Sequence, residues 1–198
     1  MTDGRQFTPL MIAEPNRDAF EQMAERIESD VDKEGWDQPN RLFRINTHAS
    51  PLAGMSALMV AEVPWPEAVA RSHPIQALKM DLNAVLALPA KDLGLDQFVG
   101  LALATEGWML SARVDDEAAV AEVNAISGRR EVHKHPDRIE VRTVMLIAPG
   151  TQVQVLRQRG HAPDLVDVAA DAGAVPDALR ALFAAFVVRR LRVMAGLS

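Results

Sequence analysis

From Asn16 to Glu34 the apolar residues Phe20, Met23, Ala24, Ile27 and Val31 recur at i, i+3, i+4, i+7 and i+11. That spacing draws one apolar stripe along a helix. Asn16 is placed to cap the first amides, Asp18 suits the positive end of the helix dipole, and Gly35 is a stop signal. Trp36 follows the glycine, in a position that commonly folds back on the last apolar turn. It is therefore expected to be a buried plug against Ile27 or Val31. Glu21, Glu25, Glu28, Asp30, Asp32 and Glu34 read as a solvated face.

Further along, the period changes. "RLFRINT" (41–47) reads as a strand with Phe43 and Ile45 on one face, and "MSALMVAEV" (55–63) as a second strand closed by "PWP". A helix is expected from Ser72 to Leu88, with Ile75, Leu78, Leu82, Val85 and Leu86 as its stripe. The apolar run 97–111 reads as a central strand with Gly100 as its weak point. Residues 113–136 keep no period and are expected to form the most mobile internal segment. "DRIEVRTVMLIAPGTQVQVLRQRG" is two strand-type runs around a Pro-Gly turn. "PDLVDVAADAG" (163–173) resembles a short helix. A last helix, from Pro176 to Ala195, carries the stripe Leu179, Leu182, Phe183, Phe186, Val187, Leu191 and Met194. Residues 1–14 lack a period and are expected to be an arm, with 15–198 forming one domain. The order predicts an α+β fold: an antiparallel sheet of about five strands with helices packed on one face.

Composition narrows the function classes. With 198 residues and 48% hydrophobic content, the chain has material for one real core. A net charge of −6 is not the footprint of a nucleic-acid reader. No cysteine is present, which excludes disulfides and thiolate sites. The N-terminus lacks the apolar core of a signal peptide. The longest apolar stretch, 178–188, is far short of the ~20 residues that span a bilayer. A soluble cytoplasmic protein is expected, with no membrane or nucleic-acid partner. The excess of arginine over lysine, 17 to 4, and the abundance of alanine suggest a GC-rich genome.

"GWDQPNRLF" (35–43) resembles a stretch in small uncharacterised actinobacterial proteins that commonly read Gly-Trp-Asp-Gln-Pro-Pro before an aromatic strand. Asn40 stands here in place of the second proline. The resemblance implies a source and no activity. "HKHP" looks like the His-x-His-Pro core of JAB/MPN-type metallopeptidases, which implies His133 and His135 as metal ligands and Glu106 as a base. The serine and aspartate which that resemblance requires are replaced by Val144 and Ile147, so Asp137 or His161 would have to supply a third ligand. On an extended strand His133 and His135 would point the same way. The plain alternative is two solvated imidazoles and no bound metal or cofactor. No nucleophile motif, dinucleotide fingerprint or phosphate loop occurs.

The hairpin carries the sharpest expectation. A register in which paired residue numbers sum to about 299 sets Val144 against Val155 and Leu146 against Val153, and the two apolar pairs support each other. It also sets Arg142 against Arg157 and Glu140 against Arg159. Two directly opposed arginines repel. A carboxylate must offset them: Glu140, Glu106 from the neighbouring strand, or an acidic partner. Arg142, Arg157, Arg159, Glu140 and Glu106 thus form either an internal ion-pair network or a patch that binds an anion or carboxylate. The functional reading is a non-catalytic protein that acts through a protein partner or self-association. The alternative is a metal-dependent hydrolase or anion-binding enzyme using Glu106, His133 and His135.

Overall fold

Leu42 and Phe43 are neighbours on one strand, so their side chains point to opposite sides of the sheet, yet both are fully buried. The same holds from Leu101 to Ala104 and from Val144 to Ile147. A sheet with one solvated face would alternate apolar and polar residues at these positions. Here both faces are covered, and that sets the architecture.

The computed structural model describes residues 7–50, 52, 54–64, 67–71, 95–110, 121, 132–166 and 176–196. Among them are the strands β1 (Leu10–Ile12), β2 (Arg41–Ala49), β3 (Ser56–Val63), β4 (Phe98–Met109), β5 (Ile139–Ala148), β6 (Thr151–Gln158) and β7 (Pro163–Val166). The helices among the described residues are α1 (Arg17–Asp32), the single turn α2 (Glu67–Ala70) and α3 (Asp177–Met194), with two 3-10 turns besides. The strands form one seven-stranded antiparallel sheet in the order β1-β3-β2-β4-β5-β6-β7. The chain leaves β3 on one side of β2 and re-enters with β4 on the other.

One face, with Phe43, Ile45, Ala102, Ala104, Val144, Leu146, Val153 and Val155, packs with Phe20, Met23, Ala24, Ile27 and Val31 of α1. The opposite face, with Leu42, Leu101, Leu103, Met145 and Ile147, packs with Leu179, Leu182 and Phe186 of α3. The expected five-stranded sheet with helices on one face is therefore corrected on both counts. The central strands are apolar on both sides, so each face needs its own helix.

The two extra strands are short edges. Leu10 and Ile12, within the expected arm, pair with β3 and are buried. Residues 163–166, read as the start of a short helix, pair with β6 instead. Pro163 opens that strand, where a missing amide is tolerated at a sheet edge. Gly100 is a site of close approach: a Cβ there would stand 3.0 Å from the Ile147 carbonyl oxygen and 3.4 Å from Ile45 Cδ1. The register between β2 and β4 shifts beside it, between Ile45 and Asn46. The helix expected over 72–88 lies outside the described residues, as does most of 113–136.

Candidate functional site

Under α1 the sheet is apolar, but beyond the C-terminal end of that helix the same strand positions turn polar. Stepping by two keeps the face: Val144 leads to Arg142 and Glu140, Ala104 to Glu106 and Trp108, Val155 to Arg157 and Arg159. The ladder pairs Arg142 with Arg157, Val144 with Val155 and Leu146 with Val153, as the 299 register requires. Arg159 donates its amide to the Glu140 carbonyl at 3.0 Å, and Glu106 lies opposite Arg142 on the other side. All five expected residues thus meet on one face.

What holds the opposed arginines is a carboxylate that the sequence reading placed in water. Glu28 is 0% exposed, as is Arg142. Glu28 receives both arms of Arg157, with Nε at 2.6 Å and Nη2 at 2.7 Å, and lies 3.5 Å from Arg142 Nη1. Asp32 bridges in the other sense, 2.9 Å from Arg142 Nη1 and 3.5 Å from Arg157 Nη1. Glu106 accepts from Arg142 Nε at 3.0 Å and Nη2 at 2.8 Å through Oε1. Its Oε2 accepts the amides of Asp37 at 2.7 Å and Gln38 at 3.1 Å. Arg142 Nη2 also donates to the Gly35 carbonyl. It thereby supplies a cation at the C-terminus of α1, whose last turn has no basic residue of its own. Arg159 bonds Glu140 at 2.5 Å. Hydrogen bonding to Glu28 raises the Arg157 pKa, outweighing its partial burial, and the charges of Glu28 and Asp32 add to the effect.

Trp36 belongs to this assembly. Gly35, the expected stop signal, adopts the left-handed conformation, at φ +84°. The indole, however, is half-buried, lying over the Arg142 guanidinium at 4.6 Å and the Arg159 guanidinium at 5.5 Å. The expected deep plug is a lid over a buried cation. Nearby, Arg41 holds Glu62 with two arms at 3.0 and 2.6 Å and Glu34 at 2.6 Å. Glu28, Asp32 and Glu34 therefore leave the expected solvated face. Glu28 could have been recognised: it sits four residues after Ala24 and eight after Phe20, at the margin of the buried stripe.

His133 and His135 are not on a strand. They flank Lys134 at the end of a 3-10 turn, Val132–Lys134, where residues two apart diverge. His135 Nδ1 accepts the Asp137 amide at 3.2 Å. Among the described residues no three His, Asp or Glu side chains are grouped as a metal site. The carboxylate of Glu106 is committed to Arg142 and the loop amides.

A second surface lies on the opposite side of the molecule. Ala181, Ala184, Val188, Leu191 and Ala195 are all exposed, and their spacing of 3, 4, 3, 4 puts them on one outward line of α3. Val188 is 51% exposed and Leu191 60%. Met194, beside that line, is also exposed. Sequence reading assigned Leu191 and Met194 to the buried stripe of this helix. The fully buried part ends at Phe186, Val187 still packs partly against the core, and the apolar residues from Val188 onward are exposed.

The fold is thus a two-faced α+β sheet protein, with a closed ion-pair network at the end of one helix and an apolar outer side on the other. The chain belongs to the family of PPA1309-like proteins, which matches residues 20–187. No curated protein and no solved structure matches it. The matched region contains every residue of the ion-pair network and stops one residue before Val188. Among the described residues no helix is long and apolar enough to cross a membrane.

Proposed function

We propose that this is a non-catalytic, cytoplasmic protein that works through contact with another protein surface, made by the outward side of α3. One observation carries the reading: α3 is apolar on the side that packs on the sheet and on the side that does not. A helix apolar all round belongs in an interior, and an outer side of this kind marks a contact surface. The chemistry at the other end of the molecule supports the non-catalytic part. Arg142, Arg157 and Glu106 already bond to the protein's own carboxylates, amides and carbonyls, so the cluster serves cohesion rather than anion capture. The acid charge balance argues against nucleic acid as the partner. An actinobacterial origin, inferred from the Gly35–Phe43 stretch, belongs to the same proposal.

The test is a photo-crosslinking amino acid placed at Val188 and, as a control, at Gln22, exposed on α1. In cells of the native host, Val188 is expected to give protein adducts and Gln22 none. Absence of adducts at Val188 rejects the reading.

A further inference from the structure

We infer that the occupant of the α3 surface is a second copy of this chain, with the two α3 helices packed antiparallel about a two-fold axis. The inference rests on the contact role proposed above and adds the partner and its orientation. The spacing identifies the kind of occupant: an exposed line at 3, 4, 3, 4 fits the side of another helix. Size along the line selects the orientation. Small residues, Ala181 and Ala184, occupy its first half, and the larger Val188 and Leu191 its second. Antiparallel copies set each alanine against the partner's Val188 or Leu191, small into large, as close packing requires. Parallel copies would meet large on large and leave a gap between the alanines.

Charge selects the same orientation. Asp177 stands at the N-terminal end, paired with Arg180 of its own helix at 3.1 Å yet with a side chain 98% exposed, and Arg192 is exposed at the C-terminal end. Between Ala178 and Gly196 the chain has no carboxylate. Antiparallel helices bring Asp177 towards the partner's Arg192 and oppose the helix dipoles; parallel helices stack arginine on arginine. An anionic bilayer would also accept a basic apolar helix. The net charge of −6 and the exposed Asp177 oppose that docking. An 18-residue helix is about 27 Å long, so the contact falls at the small end of specific interfaces. A reversible dimer is expected, dissociating in the range of about 1–100 μM.

The absence of cysteine makes the test clean. In sedimentation equilibrium the purified chain should pass from 21.6 kDa to twice that mass as concentration rises. Leu191→Glu should weaken the dimer at least about tenfold without unfolding the chain, as read by circular dichroism. Asp177→Arg and Arg192→Asp should each weaken it by about threefold, and together restore it. A mixture of Ala181→Cys and Leu191→Cys chains should form the mixed disulfide in preference to either homodisulfide. A chain that stays monomeric at millimolar concentration, although Val188 gives adducts in cells, overturns the second copy and leaves the contact role standing. Homodisulfides of Ala181→Cys overturn the antiparallel orientation. Cosedimentation with phosphatidylserine vesicles in place of dimerisation overturns the proposal in favour of a membrane.

Discussion

The two long helices among the described residues pack on opposite faces of one sheet, and they solve opposite problems. On α1 the inner side is apolar and the outer side is charged, with surface pairs such as Arg17–Glu21 and Lys33–Asp30. The difficulty lies at its C-terminal end, where Glu28 enters the interior and must be matched. On α3 the inner side is apolar and matched by the sheet, while its outer side is apolar and exposed. The α1 end is therefore closed on itself, with acids and bases mutually bonded, and α3 is open. Closure suits a stabilising device and openness suits a contact.

The largest effect should come from opening the closed end. Glu28→Ala removes the buried carboxylate shared by Arg157 and Arg142, leaving only the more exposed Asp32 between them, and should cost about 3–5 kcal/mol in urea unfolding. A loss below about 1 kcal/mol would mean the network is ornamental. Trp36→Ala should cost less, about 1–2 kcal/mol, because the half-buried ring covers guanidinium rather than filling the core. A loss as large as that of Glu28→Ala would restore the deep-plug reading. Smallest of all, Leu191→Ser on the outer side of α3 should change monomer stability by no more than about 0.5 kcal/mol, like a surface site. A large loss measured on the dilute monomer would place Leu191 in the core.

Titration probes the closed end. The raised pKa of Arg157 means that its contribution is complete below the ordinary guanidinium value and is lost only as pH rises past the folded one. Between about pH 7 and 10 the cation of this pair therefore stays charged, and its stabilisation should persist unchanged in urea unfolding.

Much of this was legible in the sequence. The α1 stripe, the β5–β6 register and the meeting of Arg142, Arg157, Arg159, Glu140 and Glu106 follow from periodicity and from a turn that admits one consistent pairing. Glu28 was hidden because a carboxylate at the margin of a stripe looks solvated until a strand supplies the opposing arginines. Trp36 was misplaced because local cap geometry predicts a fold-back and cannot see a guanidinium from β5. The second covered face is not legible strand by strand: a run apolar on both sides marks an interior strand, and only the assembled sheet shows what covers each side. The outward line of α3 escaped notice for a related reason. Leu191 on that line and Met194 beside it also fit the inner stripe, and only the position of the sheet decides where burial ends.

The proposed contact covers the outer side of α3 in the working protein and leaves that of α1 in solvent. Hydroxyl-radical footprinting at increasing protein concentration tests it directly, with Leu191 against Met11, which is exposed on edge strand β1. The oxidation rate of Leu191 should fall as the chain is concentrated, while those of Met11 and the α1 residue Gln22 hold constant. An undiminished rate at Leu191 at millimolar concentration, and equally in extracts of the native host, would contradict the account.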